Sequence, residues 1–379
     1  MYNIKHINIK GFRRLYNLDL PIQPFSVIIG PNTVGKTSFL DAFSLLAASA
    51  SGRLNIKLSL LGGINNILTR GLSNDIVFTV LLDYMESYSI EYSLQLTPMG
   101  TFYSIINESL KKFDPEYMAP LNLIYSSMQN IQFFDPNNKI IVPINWEHDY
   151  QETSLSQIPR TYKEHYELKN KLSNISKYHL LDTGPLAPLK LPQQMRPANG
   201  PGINGEDLVA YLFYLRETEK DKFELIEDSL KAAFPDLEEI SFPPVAAGML
   251  SLTWKDKNFS KPLYIHELSE GVLRFLWLST LLQSNELPAV TMIDEPDTSL
   301  HPELMNILID LMREASNRTQ LIVTTHSDRF IRFLEPHELL VFDLDDDGFT
   351  SARRGDSFDL DDWLSHYRLD ELWMKGLFN

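Results

Sequence analysis

The octapeptide Gly30-Pro31-Asn32-Thr33-Val34-Gly35-Lys36-Thr37 sets two glycines, a lysine and a hydroxyl at the spacing G-x-x-x-x-G-K-[ST], which is a device for holding phosphate. Glycines let successive backbone N–H groups converge on an anion at the positive end of a helix. Lys36 then reaches the β- and γ-phosphates of a nucleoside triphosphate, the Thr37 hydroxyl is placed for Mg2+, and Ser38 completes the cradle. A glycine turn with a chance lysine is the alternative. Against it, the octapeptide lies between the apolar run Phe25–Ile29 and a helical pattern that begins at Lys36 and carries Phe39, Leu40, Phe43 and Leu46 on one face.

A second concentration of chemistry is Ala289-Val290-Thr291-Met292-Ile293-Asp294-Glu295-Pro296. An apolar strand that ends in acids carries them to the edge where α/β sheets bind ligands. Asp294 is then the carboxylate on the Mg2+ side, and Glu295 the general base that polarises an attacking water. An acid pair after a strand also caps helices, so the phosphate loop is what favours catalysis. Upstream, Ser269 of Leu268-Ser269-Glu270-Gly271 opens an apolar helix, Val272 to Leu282, and suits its N-cap. Downstream, His326 follows the apolar run Gln320–Thr324, where a lone histidine is usually structural.

These residues need a sheet and helices to carry them. Strand and helix patterns alternate from the helix at Ser269 through a strand at Ala289–Ile293, a helix from Pro302 to Ala315 and a strand at Gln320–Thr324, which argues a parallel α/β arrangement. Glu206 to Phe234 is helical in pattern, Ile76 to Ile106 reads as an antiparallel meander, residues 114–181 as mixed and partly helical, and 182–205 as a long Pro/Gly/Asn-rich loop. The chain has 379 residues and a formal charge of −16, from 34 Lys+Arg against 50 Asp+Glu. That balance argues against a generic polyanion binder. Zero cysteines exclude a disulfide framework, a thiolate zinc site and a cysteine nucleophile. There is no apolar run of membrane-span length and no signal-peptide-like start, so a cytoplasmic protein without membrane association is expected.

Taken in order, the four segments resemble the phosphate loop (Walker A), signature motif, Walker B strand and switch histidine of the ATP-binding-cassette type of ATPase head. The opening Ile7-Asn8-Ile9-Lys10-Gly11-Phe12-Arg13-Arg14 is similar to that of the RecF, SMC and OLD-type ATPases. In that group the arginine after Gly-Phe touches the nucleotide, which assigns Arg13, with Arg14 as second candidate. Asp294 to Pro302 resembles their Walker B and D-loop, bringing in Asp297. Leu369-Asp370-Glu371-Leu372-Trp373 resembles the tail of small bacterial "AAA family" ATPases. The resemblance covers residues 1–80 and 205–379 and leaves the middle unmatched.

The resemblance implies an α/β fold, an ABC-ATPase head (P-loop NTPase) with an antiparallel β subdomain and an inserted α/β region. Its divisions are 1–82 for the N-terminal part of the ATPase domain, 83–204 for the inserted subdomain and connecting loop, and 205–379 for the C-terminal part. It further implies ATP and Mg2+ as cofactors, and a homodimer in which ATP lies between heads, with Ser269 and Gly271 of one subunit meeting the γ-phosphate held by the other. The expected role is the ATPase of a bacterial DNA-maintenance or antiphage-defence system that acts with a separate effector protein. The Toprim nuclease of OLD proteins is not expected in the stretch that follows His326. A nucleotide-gated scaffold with negligible turnover and the ATPase subunit of a membrane transporter are the rivals. Glu270, where transporters favour glycine, fits the RecF/SMC side. No lobe-coupling glutamine is placed, and Gly62-Gly63-Ile64-Asn65-Asn66 occupies its region.

Two further patterns are ambiguous. Asp343-Leu344-Asp345-Asp346-Asp347-Gly348 matches half of a calcium loop, but Arg354 stands where a glutamate is required, so a hairpin turn is expected. The basic and aromatic stretch Arg160–His179, with Lys163, Lys169, Lys171 and Lys177, could meet nucleic acid or an acidic partner, or be a solvated helix face.

Overall fold

Ile7 and Ile9 alternate with polar residues, yet Ile4 is also buried although it lies an odd number of positions from Ile7. A register shift between Ile4 and His6 reconciles the three by resetting the alternation, so that all face one core. The computed structural model describes residues 2–84, 87–116, 119–128, 130–135, 140–144, 146–358 and 367–376. They divide into two compact units, one running to Ser176 and including His337–Phe358, the other comprising Lys177–Pro336 and the C-terminal helix. The division runs through the stretch 83–204.

In the first unit, Tyr2–Phe12 pairs antiparallel with Leu15–Pro21 on one side and Ile76–Tyr84 on the other. The sheet continues antiparallel through Tyr88–Met99, Phe102–Phe113, Leu121–Ser127, Asn130–Asp135 and Ile140–Pro143, eight strands in all. Ile76, Phe78, Val80 and Leu82 alternate inward opposite Leu96, Leu94, Tyr92 and Ile90, as a half-buried meander requires. The expected meander is therefore present and runs well past Ile106.

The strand Phe25–Ile29 is buried throughout and pairs in parallel with Leu339–Leu344, which in turn pairs antiparallel with Thr350–Arg354. The helix Lys36–Ala50 packs Phe39 edge-on to Phe342 and to Phe43, with ring centroids 5.5 and 5.1 Å apart. The expected hairpin turn is also present. Asp345 Oδ1 accepts from the backbone N–H groups of Asp347 and Phe349, and Gly348 turns with φ +80°.

The far end of that helix is tied down by a segment no periodicity marks. Thr153 Oγ1 donates to Ser49 O at 2.7 Å, and the Glu152 carboxylate accepts from the amides of Leu54 and Asn55, which begin the next helix. Glu108, fully buried on the sheet, holds this segment by accepting from Ser154 N (2.6 Å), Leu155 N (3.0 Å) and Tyr92 OH (3.0 Å).

In the second unit, the helical pattern over 206–234 forms two helices, Leu208–Thr218 and Lys220–Ala233. The break is at Glu219, whose backbone leaves the helical region while its carboxylate accepts from Lys222 and Asn285. Tertiary hydrogen bonds override the local pattern there. A small antiparallel sheet of Leu237–Ser241, Thr253–Asp256 and Leu263–Tyr264 follows. Next come the helix Glu270–Leu282 and the parallel strands Val290–Asp294 and Gln320–Thr324, linked by the helix Glu303–Ala315. The C-terminal helix Leu369–Met374 buries Leu369 and Leu372 and packs against Asp328–Ile331.

Glu108→Ala removes the acceptor of two buried N–H groups and of the Tyr92 O–H, and a loss of about 3 kcal/mol is expected in urea unfolding. Burial raises the Glu108 carboxyl above its ordinary 4.5, against the lowering effect of its hydrogen bonds. A carboxyl raised in the folded state stabilises most in acid and progressively less as pH climbs from the unfolded value through the folded one. The deficit of Glu108→Ala should accordingly be larger at pH 4 than at pH 7.

Candidate functional site

The phosphate loop lies wholly in the first unit. Gly30 has φ +152° and Gly35 φ +110°, and Thr33 between them is left-handed at +75°. A side chain at Gly30 would come within 2.3 Å of Phe342 O, and one at Gly35 within 2.6 Å of Thr350 Oγ1, so both positions require glycine for space as well as for conformation. Pro31, Asn32 and Thr33 are exposed, and Val34 is buried. Lys36, itself buried, donates to Gly30 O at 2.6 Å and Pro31 O at 3.0 Å, so the ammonium is folded inside the curve of the loop. Thr37 is exposed on the first turn of the helix and Ser38 half-buried beside it. A glycine-formed cradle, an ammonium within it and a hydroxyl at a helix N-terminus suit a nucleoside triphosphate with its magnesium.

Arg13 is brought to the same helix. Its Nη1 lies 2.8 Å from Asp41 Oδ2 and 3.5 Å from Ser38 Oγ. Its own backbone is left-handed at φ +52°, with the N–H donating to Ile67 O and the carbonyl accepting from Thr69 Oγ1. Arg14 points elsewhere and donates to Gly348 O at 2.8 Å, holding the hairpin turn. Gly62 and Gly63 form a turn, where Asn66 donates to Gly62 O and Asn65 reaches Gly100 O.

The second unit gathers the other residues. Asp294 Oδ1 accepts from Thr324 Oγ1 at 2.5 Å, and Asp294 Oδ2 lies 3.4 Å from Lys177 Nζ. Glu295 takes a left-handed backbone, φ +52°, with its N–H bonded to Thr324 O, and its Oε1 is 2.9 Å from His326 Nδ1. Asp297 is buried and accepts from Thr325 Oγ1 at 2.8 Å. Burial pushes its carboxyl up from the ordinary aspartate value, and the threonine hydrogen bond works the other way. Ser269 is the exposed N-cap of its helix, accepting from Val272 N at 3.5 Å. Gly271 faces Ser299 O, which a side chain there would approach to 2.8 Å.

Asp294, Glu295, Asp297 and His326 are thus assembled by hydrogen bonds, as are Arg13, Ser38 and the phosphate-loop helix. Sequence reasoning missed Asp41, Lys177 as the neighbour of Asp294, and the hydroxyl pair Thr324-Thr325 that orients both aspartates. The adjacent threonines at a strand end were the available signal. Three lysines of the basic stretch are committed inward: Lys169 donates to Ser156 O, Lys171 is buried, and Lys177 faces Asp294. For these three lysines neither a nucleic-acid face nor a solvated helix face is the arrangement found. Of the six non-glycine residues with positive φ among the described residues, Arg13, Thr33, Glu295 and Ser299 fall in these motifs, and such strain concentrates where function demands a fixed geometry.

Comparison with known proteins bears on what this assembly is. The chain is 21% identical over 376 residues to the Septu protein PtuA of Bacillus thuringiensis, covering 93% of this chain and 79% of that one. A 43-residue stretch is 44% identical to the OLD nuclease of Thermus scotoductus, covering 11% of this chain and only 8% of the length of that protein. In fold it is similar to the SMC head bound to the C-winged helix domain of ScpA, with TM-score 0.54, 13% identity, and coverage of 93% of this chain and 99% of that one. A second SMC head, with an extended coiled coil and bound to the C-terminal domain of ScpA from Pyrococcus furiosus, has TM-score 0.51 at 10% identity, covering 94% and 98%. The mixed α/β fold with its antiparallel sheet is therefore that of SMC heads. The family described as "AAA domain, putative AbiEii toxin, Type IV TA system" matches residues 25–332, and the chain belongs to it.

Proposed function

We propose that the protein binds ATP at Gly30–Ser38, hydrolyses it, and uses ATP-dependent pairing of two heads to drive or regulate a separate effector in bacterial DNA maintenance or antiphage defence. The observation that carries the hydrolytic part is Glu295, an acid on a left-handed backbone, paired at 2.9 Å with His326 and directly following Asp294. A carboxylate so held accepts a proton from water, while the histidine fixes its orientation and keeps it from capping a helix. Thr37 and Asp294 are the residues to hold Mg2+, whose charge offsets that developing on the phosphates. Lys36 and the loop amides take the phosphates, and Arg13, fixed by Asp41, lies beside the same helix. Similarity to PtuA and to SMC heads supports the choice of a defence or maintenance role. The exposed Ser269 at a helix N-terminus supports a role in meeting a nucleotide on a second copy.

Lys36→Ala should abolish ATP binding in calorimetry with an unchanged circular dichroism spectrum; unchanged affinity refutes the phosphate loop. Ser269→Arg should bind ATP as a monomer yet fail to dimerise in sedimentation with a non-hydrolysable analogue. Glu295→Gln keeps size and shape but cannot accept the proton, so turnover should fall about 10²–10⁴-fold and an ATP-loaded dimer accumulate. Asp294→Asn should instead lose Mg2+-dependent binding. If those two variants behave alike, or if Glu295→Gln hydrolyses at the wild-type rate, the carboxylate roles are wrong and a scaffold without turnover is the better description.

A further inference from the structure

Glu270 is the residue of the signature segment whose side chain is most specifically engaged. Its Oε1 accepts from Ser299 Oγ at 2.9 Å and lies 2.7 Å from Arg274 Nη2 one turn along the same helix. Arg274 is buried, its side chain 6% exposed against 45% for Glu270, and its Nε has no hydrogen-bond partner. The ion pair is therefore the polar contact that fixes the Glu270 carboxylate in place. Ser299, at the other end, has φ +63° although it is neither glycine nor asparagine, so an outside contact must hold it there. The backbones are also in close apposition, because a Cβ at Gly271 would sit 2.8 Å from Ser299 O.

Ser299 ends a short loop whose other members are already bound to the catalytic candidates. Thr298 N donates to Glu295 O at 3.3 Å, Leu300 N to Asp297 O at 3.1 Å, and Asp297 is fastened to Thr325, the neighbour of His326. Hydrogen bonds, joined through the peptide backbone of Thr298–Leu300, thus connect the start of the helix that Ser269 caps, through Glu270 and Ser299, to Glu295.

We propose that Glu270 is a positioning residue that clamps Ser299 to the start of the Ser269 helix, so that engagement of this helix by a nucleotide on the partner head sets the orientation of Glu295 in its own head. This rests on the roles given above to Ser269 and Glu295. The clamp works through a hydrogen-bonded loop and touches no substrate, so its loss slows turnover without weakening nucleotide binding.

The test compares Glu270→Ala, Glu270→Gln, Ser299→Ala and the double alanine variant in the full chain, with Glu295→Gln alongside. Expected are ATP affinities within about twofold of wild type, and kcat lowered about tenfold in each alanine variant. The double variant should be no slower than the slower single one, because both remove one contact. Glu270→Gln, which can still accept from Ser299, should recover most of the rate. Ser299 is exposed, so its variant reads out the clamp even if Glu270→Ala, by stranding Arg274, fails to fold. Amide exchange without nucleotide supplies the independent measure: protection of Thr298 and Leu300 should fall in both alanine variants. Wild-type kcat in Ser299→Ala, additive losses in the double variant, or unchanged exchange overturns the clamp. If the wild-type head itself shows no turnover above Glu295→Gln, the hydrolytic reading fails, and the clamp then stands or falls on exchange alone.

Discussion

The parallel register that sets Asp294 opposite Thr324 is the constraint on which the second unit's chemistry depends. It places a hydroxyl 2.5 Å from the aspartate, a backbone carbonyl under the amide of Glu295, and His326 within reach of the Glu295 carboxylate. A shift of one residue would turn every side chain of the strand to the opposite face. The apolar residues Val290, Met292, Ile293, Leu321, Ile322 and Val323 are buried on both faces of the two strands, so such a shift would force all of them to repack. The hydrophobic pattern therefore does more than fill a core. It fixes which hydroxyl meets which acid.

Acids packed this closely repel one another, and the structure answers with donors in preference to distance. Asp294 has Thr324 and Lys177, Glu295 has His326, and Asp297 has Thr325. Hydroxyl donors cost less to bury than cations and leave the carboxylates open to a metal or a water on their remaining lone pairs. Among the described residues no three His, Asp or Glu side chains form a metal-binding group. Left-handed backbone at Glu295 and Ser299 is held by contacts from neighbouring segments, and is the local cost of turning the chain sharply at the strand end.

What was legible in the sequence is what depends on local pattern. The phosphate loop, the acids after an apolar strand, the N-cap at Ser269, the meander from Ile76 and the Asp345–Gly348 turn each have a spacing or composition that local physics interprets. What was illegible depends on partners distant in the chain. Glu219 stands between two helices, its carboxylate held by Asn285, 66 residues further on. Glu108 and Thr153 reach the segment behind the phosphate-loop helix across long sequence separations. Lys169, Lys171 and Lys177 gave a basic run by composition, yet each is turned to an internal use that no helical or strand period encodes.

The hairpin near the C-terminal end of the first unit shows how a segment that looked incidental can determine the phosphate loop. Thr350, on the strand leaving the Asp345–Gly348 turn, donates its hydroxyl to Val34 O at 2.6 Å, and its N–H donates to Arg14 O at 3.0 Å. That same hydroxyl occupies the space a side chain at Gly35 would need. Arg14 closes the arrangement by bonding Gly348 O, so the arginine pair after Gly-Phe divides its work, Arg13 toward the phosphate-loop helix and Arg14 toward the hairpin behind it. The aspartates that mimic half a calcium loop serve the turn, Asp345 by accepting two backbone amides. Gly35 is therefore demanded twice, by its φ of +110° and by the threonine pressed against it. The loop's shape is imposed from behind by a hairpin more than 300 residues away in the chain.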